Sequence, residues 1–166
     1  MAVATNRPSC GGAAYARDKG IPLGELSQKT FNSAEERDAA MRDFFKKHGV
    51  EVVVDAGYDR VHSQAFLDAF EDRIINVHPS LLPEFAGGMD AVERALRSGA
   101  DATGATVHIV TASLDAGPIL VQEAVPILER DTVETLRQRV HEAEYRILPH
   151  AIRLMEARIA KSSTFG

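Results

Sequence analysis

A chain of 166 residues that is 45% hydrophobic is long enough for one domain with a real core, and more than one domain is not expected. Its formal charge of −5 and the lack of a Lys/Arg run argue against a nucleic-acid partner, and its single cysteine, Cys10, excludes an internal disulfide and a thiolate metal cage. No charged leader precedes an apolar run and no stretch is long enough to cross a bilayer, so a soluble protein of a reducing cytoplasm is expected.

In chain order, Ala2 to Thr5 reads as a short strand, followed by the turn Asn6 to Gly12 and a helix from Ala13 to Lys19. A strand, glycine turn and helix can present N–H groups to a phosphate, but neither the dinucleotide fingerprint nor the nucleotide loop pattern is present. An ordinary turn, with Cys10 as a bystander, is the plainer reading. Gly20-Ile21-Pro22-Leu23 opens an edge-like strand, since proline cannot donate to a central ladder. Ser33 and Glu36 form a capping box before Met41, Phe44, Phe45 and His48, which recur at helical spacing until Gly49 stops the helix. Val50 to Val54 predicts a fully buried parallel strand, and Asp55 to Arg60 follows at its carboxyl end, where open α/β sheets place ligands. A short helix over 63–70 leads to the next strand, Arg73 to Val77.

That strand stops abruptly in Asn76-Val77-His78-Pro79-Ser80-Leu81-Leu82-Pro83. Asn76 and His78 are two apart, so extended backbone points them to one side, and the prolines make the following loop stiff and non-helical. One side chain can donate to a developing oxyanion while the other handles a proton, as acyl transfer requires. The plainer alternative is that Asn76 caps the strand end and His78 is a satisfied, partly buried histidine. Beyond Gly87-Gly88, a helix from Asp90 to Ser98 ends at Gly99. Strands Ala105 to Val110 and Pro118 to Val125 are close enough to form an antiparallel ribbon. Their turn delivers Asp115 before Gly117 and Pro118; it is either a turn former or the carboxylate that orients the imidazole. His108 is expected to face inward as a core or supporting residue, and no zinc-ligand spacing is present. Asp131 with Glu134 suggests another capping box. Val133, Leu136, Val140, Ala143 and Ile147 then line one helix face, Pro149 should break or kink it, a last helix should reach Ile159, and Ser162 onward should fray. Strand and helix alternate throughout, which predicts an α/β, doubly wound, mostly parallel sheet with a C-terminal antiparallel strand pair and helix.

The ordered motifs around Asn76 to Pro83, Thr106-Val107-His108, and Leu114-Asp115-x-Gly117-Pro118-Ile119 resemble the folate-dependent formyltransferase family, over nearly the whole chain. Within it they are most similar to the branch that formylates glycinamide ribonucleotide in purine synthesis. The resemblance implies a Rossmann-like formyltransferase fold and 10-formyltetrahydrofolate as formyl donor. It implies Asn76, His78 and Asp115 as a catalytic trio. The donor would lie against Arg60, Val61 and His62 and against Thr111 to Leu114, and Glu144 and Pro79 would contact the substrate. It also implies that the family's first strand and phosphate loop precede what begins here at Met1, leaving sheet edges that favour self-association as a homodimer. Asp55, Asp59 and His62 depart from the family pattern, and the Gly87-Gly88 segment is one residue longer. Alternatives are a folate-binding or subunit-interaction descendant without catalysis, and a sibling enzyme with another amine acceptor.

Overall fold

The computed structural model describes residues 1–88 and 90–164; the fraying expected from Ser162 onward falls at the edge of that range, and Phe165 and Gly166 lie outside it. Two compact units divide the chain, Met1–Val53 with Arg60–Glu71 and Val54–Asp59 with Asp72 onward. None of the described helices is long and apolar enough to cross a membrane.

In the first unit, β1 (Val3–Thr5) pairs in parallel with β2 (Leu23–Glu25), Val3 opposite Leu23. Helix α1 (Gly11–Asp18) starts two residues before the expected Ala13 because Cys10 is no bystander: its extended backbone makes it the N-cap, and its thiol accepts from the Ala13 amide at 3.4 Å. A contact with Thr5 Oγ1 at 3.5 Å and, after it, the Ala13 bond favour the thiolate and lower the Cys10 pKa. Helix α2 (Ala34–Lys47) has the expected cap, Ser33 Oγ accepting from the Glu36 amide at 3.1 Å. The Glu36 carboxylate, however, turns back to the Asn32 amide rather than to Ser33. On the inner face of α2, Met41 and Phe45 are buried. So is an ion pair that the periodicity did not suggest: Arg37 donates through Nε and Nη2 to Asp38 Oδ1 at 3.0 and 2.7 Å. The other Asp38 oxygen accepts from the Ser63 amide at 2.6 Å, fixing the start of α3 (Gln64–Ala69). Losing the Arg37 charge would leave the buried Asp38 carboxylate without this counter-charge.

Strand β3 is shorter than expected, Val53–Asp55 instead of Val50 to Val54, and it is not fully buried: Val54 is 36% exposed. A valine run alone does not reveal which face a short strand leaves open. In the second unit the sheet order is β3, β4 (Ile74–His78), β5 (Ala102–Ile109), β6 (Ile119–Pro126). β4 pairs antiparallel with β5, and β5 antiparallel with β6. The apolar strand before Asn76 therefore does not have parallel neighbours on both sides, and the antiparallel part of the sheet extends one strand beyond the expected ribbon. A register shift at Val107/His108, with Val107 opposite Val121 and His108 opposite Ile119, marks a bulge beside the turn that carries Asp115. Helix α4 (Ala91–Ser98) ends as expected at Gly99, with φ of 72°.

Helix α5 (Val133–Thr164) covers β5 and β6. Its cap is not the expected Asp131/Glu134 pair. Thr132 and Thr135 exchange reciprocal bonds between hydroxyl and amide at 3.0 and 3.2 Å, while Asp131 is taken by the Arg139 guanidinium, which holds its carboxyl well below the usual carboxylate range. Nor does Pro149 end the helix. Leu136, Val140, Ala143, Ile147, Ala151 and Met155 form one buried stripe on both sides of Pro149, which is itself exposed. Burial of that continuous stripe outweighs one missing intrahelical bond.

Gly117, between Asp115 and β6, is constrained by space. A Cβ there would lie 1.8 Å from the Ile109 carbonyl oxygen, a backbone atom that cannot move aside alone. Gly117→Ala is expected to destabilise the fold by about 2 kcal/mol or more, in the range of overpacked cores. A urea midpoint equal to that of the wild type would show that this turn is looser than its geometry implies.

Candidate active site

The site grows from the antiparallel register of β4 and β5. Asn76 stands opposite His108, and His78 opposite Thr106. Directly opposed residues interact across a strand pair, and Asn76 Nδ2 lies 3.2 Å from His108 Nε2. The His108 tautomer follows from its other nitrogen: Nδ1 is 3.0 Å from the Ile109 carbonyl, which can only accept. Nδ1 thus carries the hydrogen, and Nε2 accepts from Asn76. One Asn76 amide hydrogen is held by His108, which fixes the amide plane and leaves the second to donate elsewhere.

The loop after β4 is latched to the sheet. Thr106 Oγ1 donates to the Ser80 carbonyl at 2.6 Å and accepts from the Leu82 amide at 3.1 Å. Gln122 Nε2 donates to both the Leu82 carbonyl and Thr106 Oγ1, at 2.9 and 2.8 Å. Ser80 Oγ reaches the Glu84 carbonyl at 2.7 Å. The stiffness expected from two prolines is therefore reinforced by buried hydroxyl bonds, which are costly to break.

Asp115 completes the cluster from the β5–β6 turn. It sits at φ 52°, in the left-handed region that aspartate tolerates better than most residues, and its side chain is only 7% exposed. Its Oδ2 accepts from the Gly87 amide at 2.7 Å and lies 3.6 Å from His78 Nδ1, while Oδ1 lies 3.6 Å from His108 Nε2. A turn former with a solvated carboxylate would show none of this. On the far side of the His78 ring, Nε2 faces the Phe85 carbonyl at 3.4 Å. Burial pushes the His78 pKa below its ordinary value, against the opposing pull of Asp115 and Phe85, so the ring is neutral at pH 7. With the hydrogen on Nε2, His78 Nδ1 and Asp115 Oδ2 form an adjacent pair of acceptors, suited to taking a proton from an incoming N–H.

Asn76, His78 and Asp115 are thus brought together, and His108, buried as expected, supports them by holding the Asn76 amide. The alternation of β5 allowed His108 to be read as inward-facing; only the register gives it a partner. Sequence reasoning missed Arg94 of α4, which donates to the carbonyls of Phe85, Ala86 and Gly87. Pro79 follows His78 and is half-buried. Thr111 turns its hydroxyl to the Ser113 carbonyl at 3.2 Å, and Leu114 is 62% exposed beside Asp115. Glu144, on α5, is not on a solvated face: its side chain is 16% exposed, His141 Nε2 is 3.9 Å away, and burial raises its pKa to about 7. Arg60, Val61 and His62 belong to the first unit, where Arg60 and Val61 are exposed and His62 is buried, stacked on Phe66 with ring centroids 4.4 Å apart. Among the described residues, no group of three or more His, Cys, Asp or Glu side chains could hold a metal ion.

The formyl transferase family pattern matches residues 1–152. The chain is 40% identical over 133 residues to the phosphoribosylglycinamide formyltransferase of Bacillus subtilis, covering 80% of this chain and 68% of that protein. It is 39% identical over 153 residues to the trifunctional purine biosynthetic protein adenosine-3 of Homo sapiens, covering 92% of this chain. The chain spans only 11% to 15% of the length of such trifunctional relatives. Among solved structures, glycinamide ribonucleotide transformylase 1 from Symbiobacterium toebii has a TM-score of 0.90 at 43% identity, covering 95% of this chain and 75% of that one. The phosphoribosylglycinamide formyltransferase of Streptococcus pneumoniae gives a TM-score of 0.88 at 32% identity, covering 93% of this chain and 85% of that one.

Proposed function

We propose that this chain, which belongs to the formyl transferase family, transfers a formyl group from 10-formyltetrahydrofolate to the amine of glycinamide ribonucleotide. The observation that carries this reading is the four-residue cluster at the end of β4. There an amide donor, Asn76, oriented by His108, lies with an acceptor pair, His78 Nδ1 and Asp115 Oδ2, 3.6 Å apart, and His108 Nε2 is 3.6 Å from the other Asp115 oxygen.

Bound 10-formyltetrahydrofolate would supply the formyl group on an N-aryl nitrogen, whose lone pair is shared with the ring and which therefore leaves more readily than an alkyl amide nitrogen. The second Asn76 hydrogen donates to the formyl oxygen as negative charge builds on it, an effect worth roughly 3 kcal/mol in comparable sites. Neutral His78 takes the proton that the attacking amine must lose, at Nδ1, because its Nε2 is committed to the Phe85 carbonyl. Asp115 would stabilise the resulting imidazolium, as the third member of a nucleophile-activating set does, and the imidazolium would return its proton to the folate nitrogen as the C–N bond to the formyl group breaks and tetrahydrofolate leaves. The exposed side chain of Leu114 offers an apolar face of the kind a pteridine ring covers, and Thr111 stands at the other end of the same turn. Arg60, Val61 and His62 are assigned to the donor, and Pro79 and Glu144 to the acceptor, by their places in the family motifs. Glu144 suits ribose hydroxyls: a carboxylate held out of water gains most from new donors.

Calorimetric titration of the full chain with glycinamide ribonucleotide, and separately with a non-transferring 10-formyltetrahydrofolate analogue, tests the assignment. Saturable 1:1 binding of each is expected. A folded chain that binds neither contradicts the proposal.

A further inference from the structure

Arg94 has no part in the chemistry above, yet it makes more hydrogen bonds than a surface residue of a helix needs. Its Nη2 donates to the Phe85 carbonyl at 2.7 Å and also to the Gly87 carbonyl, and its Nη1 donates to the Ala86 carbonyl at 3.2 Å. Its Nε donates to Asp90 Oδ1 at 3.0 Å, one turn earlier on α4. Three successive carbonyls can converge on one planar group because the backbone reverses there. Phe85 and Gly87 both lie in the left-handed region, at φ 57° and 73°. Phenylalanine adopts that conformation only when its surroundings hold it. The same short segment locates both members of the acceptor pair: the Phe85 carbonyl faces His78 Nε2 at 3.4 Å, and the Gly87 amide donates to Asp115 Oδ2 at 2.7 Å.

We propose that Arg94 is a positioning residue for formyl transfer, clamping the carbonyls of Phe85, Ala86 and Gly87 so that this segment holds His78 and Asp115 in register. The inference rests on the reading of those two residues as the proton-handling pair. A guanidinium suits the task because its five N–H groups lie in a fixed plane, whereas a lysine has the charge at a single nitrogen and cannot span three carbonyls and a carboxylate. Charge and geometry are separable for the same reason. The groups that face His78 are Asp115 on the β5–β6 turn, His108 on β5, the Phe85 carbonyl and Arg94 itself. Of these, Arg94 opposes a positive charge on the ring, whereas Asp115 and the carbonyl favour it.

The test compares the isotopically labelled full chain with Arg94→Lys and Arg94→Gln. It follows hydrogen exchange of the Gly87 amide and titration of the His78 ring by NMR, with kcat and KM measured alongside. Exchange at Gly87 should quicken by at least about tenfold in both variants, since both lose the clamp. The His78 midpoint should move in both variants, since both release the Phe85 carbonyl and Asp115 that the clamp holds beside the ring. Loss of alignment should lower kcat by about 10- to 100-fold in both, with KM for the amine nearly unchanged. A purely structural role for Arg94 would not split kcat from KM in this way. Gly87 exchange and kcat at wild-type values in the two variants would overturn the proposal. So would loss of Gly87 protection without any change in kcat. Should Arg94→Gln fail to fold, Arg94→Lys decides by the same readouts. A wild-type chain without transferase activity would instead sink the functional reading, and Gly87 exchange together with the His78 titration would still judge the clamp.

Discussion

His78→Ala is expected to slow formyl transfer by roughly 10²- to 10⁴-fold, the span of general acid–base contributions, while moving the melting temperature little. The ring makes no strong hydrogen bond that its removal would orphan: its two polar contacts are 3.4 Å to the Phe85 carbonyl and 3.6 Å to Asp115. The pH dependence has a definite sign. Burial lowers the His78 pKa, so the base is available above that value, and its protonation should remove activity only below the ordinary 6.5. Folding stability follows the same direction: the contribution of neutral His78 is complete above 6.5 and is lost as pH falls from there toward the depressed folded value. Because Glu144 titrates near pH 7, the acid limb is best read from kcat in Glu144→Gln, which lacks the second titration. Wild-type rates in His78→Ala would falsify the assignment of His78 as base.

Glu144→Gln is expected to stabilise the free protein at neutral and alkaline pH. In the unfolded chain the carboxyl titrates near 4.5, whereas in the folded chain burial moves it to about 7. Between those values the folded chain keeps a proton that the unfolded chain has released, so stability falls as pH rises through that window and the loss is complete above about 7. The difference corresponds to roughly 3 kcal/mol. Glutamine retains the shape and removes the titration. Denaturant midpoints should therefore coincide near pH 4 and diverge toward pH 8 in favour of the variant, by up to about 3 kcal/mol. Equal midpoints at pH 8 would mean that Glu144 is well solvated in solution. The same titration links stability to ligand: a substrate whose hydroxyls donate to Glu144 lowers its pKa, so binding near pH 6.5 should release protons. Calorimetry in buffers of different ionisation enthalpy measures that release.

What could be read in the sequence were features whose cause is local. The strand before Asn76, the stiff loop after it, the Ser33 cap and the left-handed Gly99 each follow from a few neighbouring residues, and the structure has them. For the trio, the two-residue spacing and the turn left structural roles open and the family resemblance implied the catalytic ones; the structure brings the three side chains together. Features that depend on partners distant in the chain could not. Asn76 and His108 are 32 residues apart, and only the antiparallel register makes them neighbours. Arg94 looked like any exposed helix arginine until the carbonyls of Phe85 to Gly87 turned toward it. Asp38 and Arg37 sit in a polar run, and Ser63 gives the buried carboxylate its third bond. Pro149 was ambiguous, because local chemistry predicted a break or a kink, and the buried stripe of α5 excludes the break.

The most direct measurement is transfer itself. The full chain is mixed with glycinamide ribonucleotide and 10-formyltetrahydrofolate carrying a ¹³C label in the formyl group, and the label is followed by NMR beside Asn76→Ala. With the wild type the formyl signal should move to the amide of the glycinamide product within the assay, and with Asn76→Ala the rate should fall by about 10²- to 10³-fold, as for other oxyanion donors. A folded wild-type chain that leaves the label on the donor, or an Asn76→Ala variant that moves it at the same rate, would contradict formyl transfer by this cluster.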